Sequence, residues 1–249
     1  MKLLKSKIFK IVISCIVAAA VLTLYLFYCI DGNWNHEWFG YSCILLYFAF
    51  SLLFVRLTAK KVSFTCALAV NCVADYFLII SYHINYRRID QLLGVIFFCI
   101  VQAVYAVYTY FIIERKSLKI AMVASRGALI VLAAILLPTL LKLGALETLS
   151  VIYILNSLVS LIVFACRIKT EWLTFIGFLF FFICDIFVGL SNGAAPYLGM
   201  SEEAVALISA HNYEMFFYLP GIFLIALSSV WEFEKEKIPL PFKQRKKEQ

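Results

Sequence analysis

Apolar residues run through this chain in eight blocks of roughly twenty residues, broken by short polar segments, and an α-helix of about that length crosses a bilayer core of about 30 Å. The blocks cover about 8–30, 41–58, 64–84, 92–113, 120–141, 148–166, 172–192 and 212–231. The pattern predicts an all-α fold, a polytopic bundle of about eight transmembrane helices. The longest polar interval, Gly193 to His211, offers no linker between soluble domains. One membrane domain over 1–234 is therefore expected, followed by a basic cytoplasmic tail, 235–249, in which Pro239 and Pro241 sit among dense charge.

Composition agrees with the pattern. Of 249 residues, 64% are hydrophobic and 15% charged, and the mean hydropathy is +0.94. Soluble domains are about half apolar and a quarter charged, so the chain reads as a multi-pass membrane protein without room for a soluble catalytic domain. It would sit in the cell membrane of a bacterium or an endomembrane of a eukaryote. Lys2, Lys5, Lys7 and Lys10 before the first block resemble the start of a signal peptide. That block is too long for one, and Asp31-Gly32-Asn33-Trp34 follows in place of a small-residue cleavage site, so a retained helix is expected. The eight cysteines form no C-x-x-C pair and read as small packing residues.

The distribution of charge orients the bundle. Eighteen of 22 Lys and Arg residues fall at the termini and in the second, fourth and sixth connections, against three (Arg87, Arg88, Lys142) on the other side. The positive-inside rule then places both termini in the cytoplasm. The formal charge of +7 is that of helix ends facing anionic lipid head groups, so the bilayer is the expected partner and nucleic acid is not.

Against this background Asp75 and Asp185 stand out, in the middle of the third and seventh blocks. A carboxylate at the centre of a bilayer costs roughly 2.5–3.5 kcal/mol even on the lenient insertion scale, which marks both as functional candidates. By helical rise they lie in nearly the same plane, roughly 17–20 Å from the cytoplasmic boundary. Low dielectric disfavours the charged form, so at least one is expected to be protonated near neutrality, and a neutral carboxyl beside an ionised one is a proton donor paired with an acceptor. Asn71 stacks one turn before Asp75, and Gln102, Tyr105, Asn156 and Tyr218 share that depth. Arg126, a turn or two into the fifth block, is expected to snorkel to the cytoplasmic surface, the alternative being a pair with one aspartate, and Pro220-Gly221 is expected to interrupt the last helix. The sequences around the two aspartates, Val73-Ala74-Asp75-Tyr76-Phe77-Leu78 and Ile183-Cys184-Asp185-Ile186-Phe187-Val188, are alike enough to suggest duplicated parallel halves, with chance as the competing explanation. His36, His211 and Glu214 lie near outer helix ends but lack further ligands for a metal site. Neither a phosphate-binding loop nor a known hydrolase signature occurs.

Asp75-Tyr76-Phe77-Leu78, the Gln102/Tyr105 pair, the run from Phe178 through Asp185 to Asn192, and Tyr218-Leu219 before Leu224-Ile225-Ala226-Leu227-Ser228 together resemble the YhhN family, which includes the lysoplasmalogenases, eight-span membrane proteins of similar length. The family's usual serine before the second aspartate is Cys184 here, its asparagine comes one position late at Asn192, and Gly193 replaces a basic residue. Pro220-Gly221 stands where a glutamine is usual. The resemblance implies hydrolysis of the vinyl ether of a lysoplasmalogen-type lysophospholipid, releasing a fatty aldehyde. Asp75 and Asp185 would be the acid/base pair, Asn71, Gln102, Tyr105, Asn192 and Tyr218 would contact substrate, and no metal or cofactor would be required. Two other readings of the residues stay open: a proton- or cation-coupled transporter, and a lipid-binding membrane protein without turnover.

Overall fold

In lipid a chain must satisfy its backbone hydrogen bonds internally, so each apolar block is driven into a helix. The computed structural model describes residues 7–31, 36–52, 58–190, 200–201, 203 and 213–231. Within them lie α1 (Lys7–Asp31), α2 (His36–Leu52) and α3 (Ala59–Asp75), the last continuing through a π-helical turn (Tyr76–Ser81) into α4 (Tyr82–Asn85). Then follow α5 (Arg88–Ile112), α6 (Lys116–Leu140), α7 (Ala145–Cys166), α8 (Ile168–Gly189) and α9 (Tyr213–Val230). Each of the eight apolar blocks thus corresponds to one helix or helical run. Five runs are long and apolar enough to cross a membrane: Ala59–Ser81, Arg88–Ile112, Lys116–Leu140, Ala145–Cys166 and Ile168–Gly189. The described apolar stretches of α1, α2 and α9 are shorter. Asn192, His211 and the tail 235–249 lie outside the described residues.

The third block begins earlier than its hydropathy suggests, at Ala59 rather than 64, and takes two lysines into its first turn. Thr58 caps it, its side-chain oxygen accepting the Lys61 N–H at 3.2 Å. Lys60 is buried because a carboxylate awaits it: its Nζ lies 2.7 Å from Oε2 of Glu171, at the start of α8. Glu171 also accepts bonds from Thr174 Oγ1 (2.7 Å) and from the hydroxyl of Tyr108 on α5 (2.5 Å). The helical geometry of α8 is broken at Glu171 itself, with φ −113° and ψ 25°. One carboxylate therefore joins α3, α5 and α8 at the same end of the bundle.

Beyond that junction the core is aromatic. Phe64 meets Tyr105 and Tyr108 edge-on, and Phe178 packs against Tyr105 and Phe164, all of them buried. Such arrangements satisfy ring electrostatics as well as volume. In contrast, α6 turns Ile120, Val123, Val131, Leu132 and Ile135 outward, the surface expected of a lipid-facing helix.

Two expectations are corrected. Arg126 does not snorkel: it is 6% exposed and turned inward from α6. Its guanidinium donates to the backbone and side-chain oxygens of Asn156, to Thr109 Oγ1 and to Ser160 Oγ. Because α6 has an almost wholly apolar surface, this polar bracket to α5 and α7 holds the helix where hydrophobicity alone gives no preference. Nor does Pro220-Gly221 interrupt the last helix, since α9 runs through both residues from Tyr213 to Val230. Proline removes one backbone bond there, but Gly221 lets α9 approach α8 closely. A Cβ on Gly221 would stand 3.1 Å from the Gly177 carbonyl oxygen, and one on Gly177 3.0 Å from that of Gly221. This is small-residue packing of membrane helices.

Two stability changes are expected in detergent thermal denaturation. Glu171→Ala strands the Lys60 ammonium in the interior and should cost about 3–5 kcal/mol, whereas the paired change Lys60→Met with Glu171→Leu should recover most of that loss. An unchanged melting temperature for Glu171→Ala would contradict the ion pair. Gly221→Val should destabilise by about 1–3 kcal/mol through enforced separation of α8 and α9, and Ile225→Val, a contraction at the same contact, should cost less.

Candidate active site

Asp75 is the last residue of α3 before the π-helical turn. Such turns alter the rotation of the helix over one turn and recur at functional sites. The side chain is 2% exposed. Its Oδ2 accepts two bonds, from Asn71 Nδ2 at 2.6 Å and from the Tyr218 hydroxyl at 2.5 Å. Asn71 Nδ2 also donates to the Tyr218 oxygen at 2.7 Å, which closes a triangle between α3 and α9. The first contact follows from i,i+4 stacking on α3, whereas the other two depend on how α9 is seated.

Asp185 stands on α8, parallel to α3, and Oδ2 accepts a bond from the Tyr153 hydroxyl of α7 at 2.7 Å. Asp185 is partly exposed, and the space it faces is a cavity of about 530 Å³ that Asp75 also lines. Two carboxyls on one apolar wall disfavour each other's ionisation. Leu78, Ile79, Val95, Phe98, Val151 and Ile154 make most of the wall apolar. Four carboxyl side chains line it, Asp75, Asp185, Glu147 and Glu214, and no Lys, Arg or His does so among the described residues. Arg88 pairs instead with Glu147. Buried carboxyls that share an apolar chamber cannot readily all ionise, so the arrangement can store a proton beside an acceptor.

The structure thus brings Asp75, Asp185, Asn71 and Tyr218 together. Gln102 and Tyr105 stay outside the lining. Gln102 follows Phe98 by about one turn, is buried, and has no hydrogen-bond partner for either amide atom among the described residues, while Tyr105 is wedged between Phe64 and Phe178. Asn156 belongs to the Arg126 bracket. Tyr153 is a site residue that was not expected from the sequence. A tyrosine in mid-span marks a candidate, but nothing in the sequence pairs it with Asp185. Glu214, weighed only as a metal ligand, and Cys184 also line the cavity.

An all-helical, membrane-embedded bundle with an apolar cavity bearing paired aspartates defines a polytopic integral membrane protein with a candidate acid/base centre. The chain belongs to the YhhN family, whose model matches residues 35–229 and so covers every helix that builds the cavity. No curated protein and no solved structure matches it.

If the cavity is the binding space, filling it should remove binding without unfolding the bundle. Val151→Trp combined with Ile154→Phe is expected to weaken binding of a single-chain lysolipid by about tenfold or more, measured by displacement of a fluorescent analogue. Unaltered affinity in a folded variant would place the lipid elsewhere.

Proposed function

We propose that this protein is a membrane-embedded hydrolase that cleaves the vinyl ether of lysoplasmalogen-type lysophospholipids, releasing a fatty aldehyde and a glycerophospho-alcohol. In this reading the chain crosses the bilayer eight times with both termini in the cytoplasm, and the lipid chain enters the cavity from the membrane. The observation that carries it is that Asp75 and Asp185, from separate helices, line the same apolar chamber. Membership of a family that includes lysoplasmalogenases supports the choice of reaction.

The chemistry needs no more than two carboxyls and water. One carboxyl gives its proton to the vinyl carbon remote from oxygen, the C=C pair forming the new C–H bond and leaving an oxocarbenium ion. The other accepts a proton from water as its oxygen bonds to the cationic carbon, which yields a hemiacetal. That second carboxyl then protonates the glyceryl oxygen as its C–O bond breaks, and the hemiacetal hydroxyl returns a proton to the first. Both groups regain their starting states, and the sum is substrate plus water to aldehyde plus alcohol. Exclusion of bulk water by the apolar wall strengthens each proton transfer. Asn71 and Tyr218 would orient Asp75, Asn192 would be a further substrate contact, and Gln102 and Tyr105 would act from behind the chamber wall.

Asp75→Asn and Asp185→Asn, each purified in detergent and supplied with a panel of lysophospholipids, should lose aldehyde release by about 10²-fold or more while still binding lipid. Turnover of ester-linked lipids only, or none by the parent protein, would overturn the proposal. Loss of pH-dependent flux in liposomes, without any aldehyde from the parent protein, would indicate a carrier.

A further inference from the structure

The two aspartates are not equivalently held, and we propose that the difference fixes their roles: Asp75 is the ionised partner, the base, and Asp185 carries the stored proton, the acid. The assignment of roles rests on the hydrolase reading; the location of the proton does not.

Hydrogen-bond donors distinguish the two carboxyls. Asn71 Nδ2 has two hydrogens and two acceptors in reach, Asp75 Oδ2 at 2.6 Å and the Tyr218 oxygen at 2.7 Å. With the Tyr218 oxygen receiving one, its own hydrogen is left to point along the 2.5 Å contact to Asp75 Oδ2. A single carboxylate oxygen thus takes two donated hydrogens, at distances typical of charge-assisted bonds. Adding a proton to that oxygen would break at least one of the two bonds, and adding it to Oδ1 would weaken both by removing the charge that they share. Asp185 receives a single contact, 2.7 Å from the Tyr153 hydroxyl. That pair can reverse, the carboxyl donating to the phenol oxygen, because the phenol has no other hydrogen-bond partner among the described residues.

With four carboxyls and no Lys, Arg or His on its wall among the described residues, the cavity favours at least one stored proton. The other titratable groups on the wall are Glu147, Glu214, Cys184 and Tyr82, together with Tyr153 and Tyr218 themselves. Glu147 is compensated by Arg88. Glu214 has a buried Oε2 with no partner among the described residues and lines the same wall. A negative charge is more costly at Asp185, which has one donor, than at Asp75, where Asn71 and Tyr218 supply compensation. In the reaction, the vinyl carbon is therefore protonated from Asp185, and the water is deprotonated by Asp75. Tyr153 becomes a positioning residue that no motif had indicated.

Infrared difference spectroscopy of the purified protein between H₂O and D₂O tests the placement without reference to turnover, so its failure and that of the hydrolase reading are separable. A deuterium-sensitive carbonyl stretch of a protonated carboxylic acid should be present at neutral pH, persist in Asp75→Asn and vanish in Asp185→Asn. Absence of the band in the parent protein, its loss in Asp75→Asn, or its persistence in Asp185→Asn would overturn the assignment. Should either aspartate variant fail to fold, the tyrosines serve instead. Tyr153→Phe should shift the band by removing its one hydrogen bond and Tyr218→Phe should leave its position unchanged; the reverse pattern would place the proton on Asp75.

Discussion

A buried ion pair at one end of the bundle sets the geometry at the other. Lys60 and Glu171 meet at 2.7 Å where α3 and α8 begin, and the two helices run in parallel from there. Asp75 follows Lys60 by fifteen residues and Asp185 follows Glu171 by fourteen, so at 1.5 Å per residue both carboxyls rise about 21–22 Å above the pair. A slip of one turn in either helix would separate them by about 5 Å and break the shared wall. Apolar packing between membrane helices penalises such slips weakly, because lipid is as good a neighbour as another leucine. A satisfied charge pair penalises them strongly, since any displacement strands a charge in the interior.

This explains what the sequence could and could not convey. Helix existence, the all-α class and the depth of both aspartates follow from hydropathy and helical rise, which are local. The early start of α3 was hidden, because Lys60 and Lys61 look like loop residues until Glu171 is known to receive the first. Arg126 deceived in the same manner: its four oxygen partners come from residues on two other helices, and a rule about isolated side chains could not anticipate them. Pro220-Gly221 read as a break because proline removes a backbone bond, whereas the compensating contact with Gly177 lies more than forty residues away. Rotation of helices about their axes, which decides that Tyr153 reaches Asp185 and that Gln102 misses the cavity, has no local signature at all.

The same distinction separates parts of the site by how firmly they are held. Asn71 and Asp75 share one helix face, so their bond survives most movements of the rest of the bundle. The Tyr218 hydroxyl arrives on α9, which is pressed against α8 at the Gly177–Gly221 crossing. Phe181 stacks near the Tyr218 ring at 5.6 Å and near Phe98 at 6.0 Å, linking that crossing to the cavity wall. A change at the glycines is thus transmitted to Asp75 through one ring and one hydroxyl.

Two departures from the family pattern, Cys184 and Pro220-Gly221, fall among the described residues at places where the structure can absorb them. Cys184 in place of serine keeps a small buried side chain beside Asp185 but forfeits a strong hydroxyl donor, so fewer hydrogen bonds are available to an ionised carboxylate there. Pro220-Gly221 in place of a glutamine removes a polar side chain from α9 and substitutes close backbone contact with α8. Cys184 lowers the supply of strong donors beside Asp185, and Gly221 firms the helix that brings Tyr218 to Asp75. On the proposed assignment of roles, Asp75, with two donors, is the aspartate suited to hold a charge, and Asp185, with one, the aspartate suited to hold a proton.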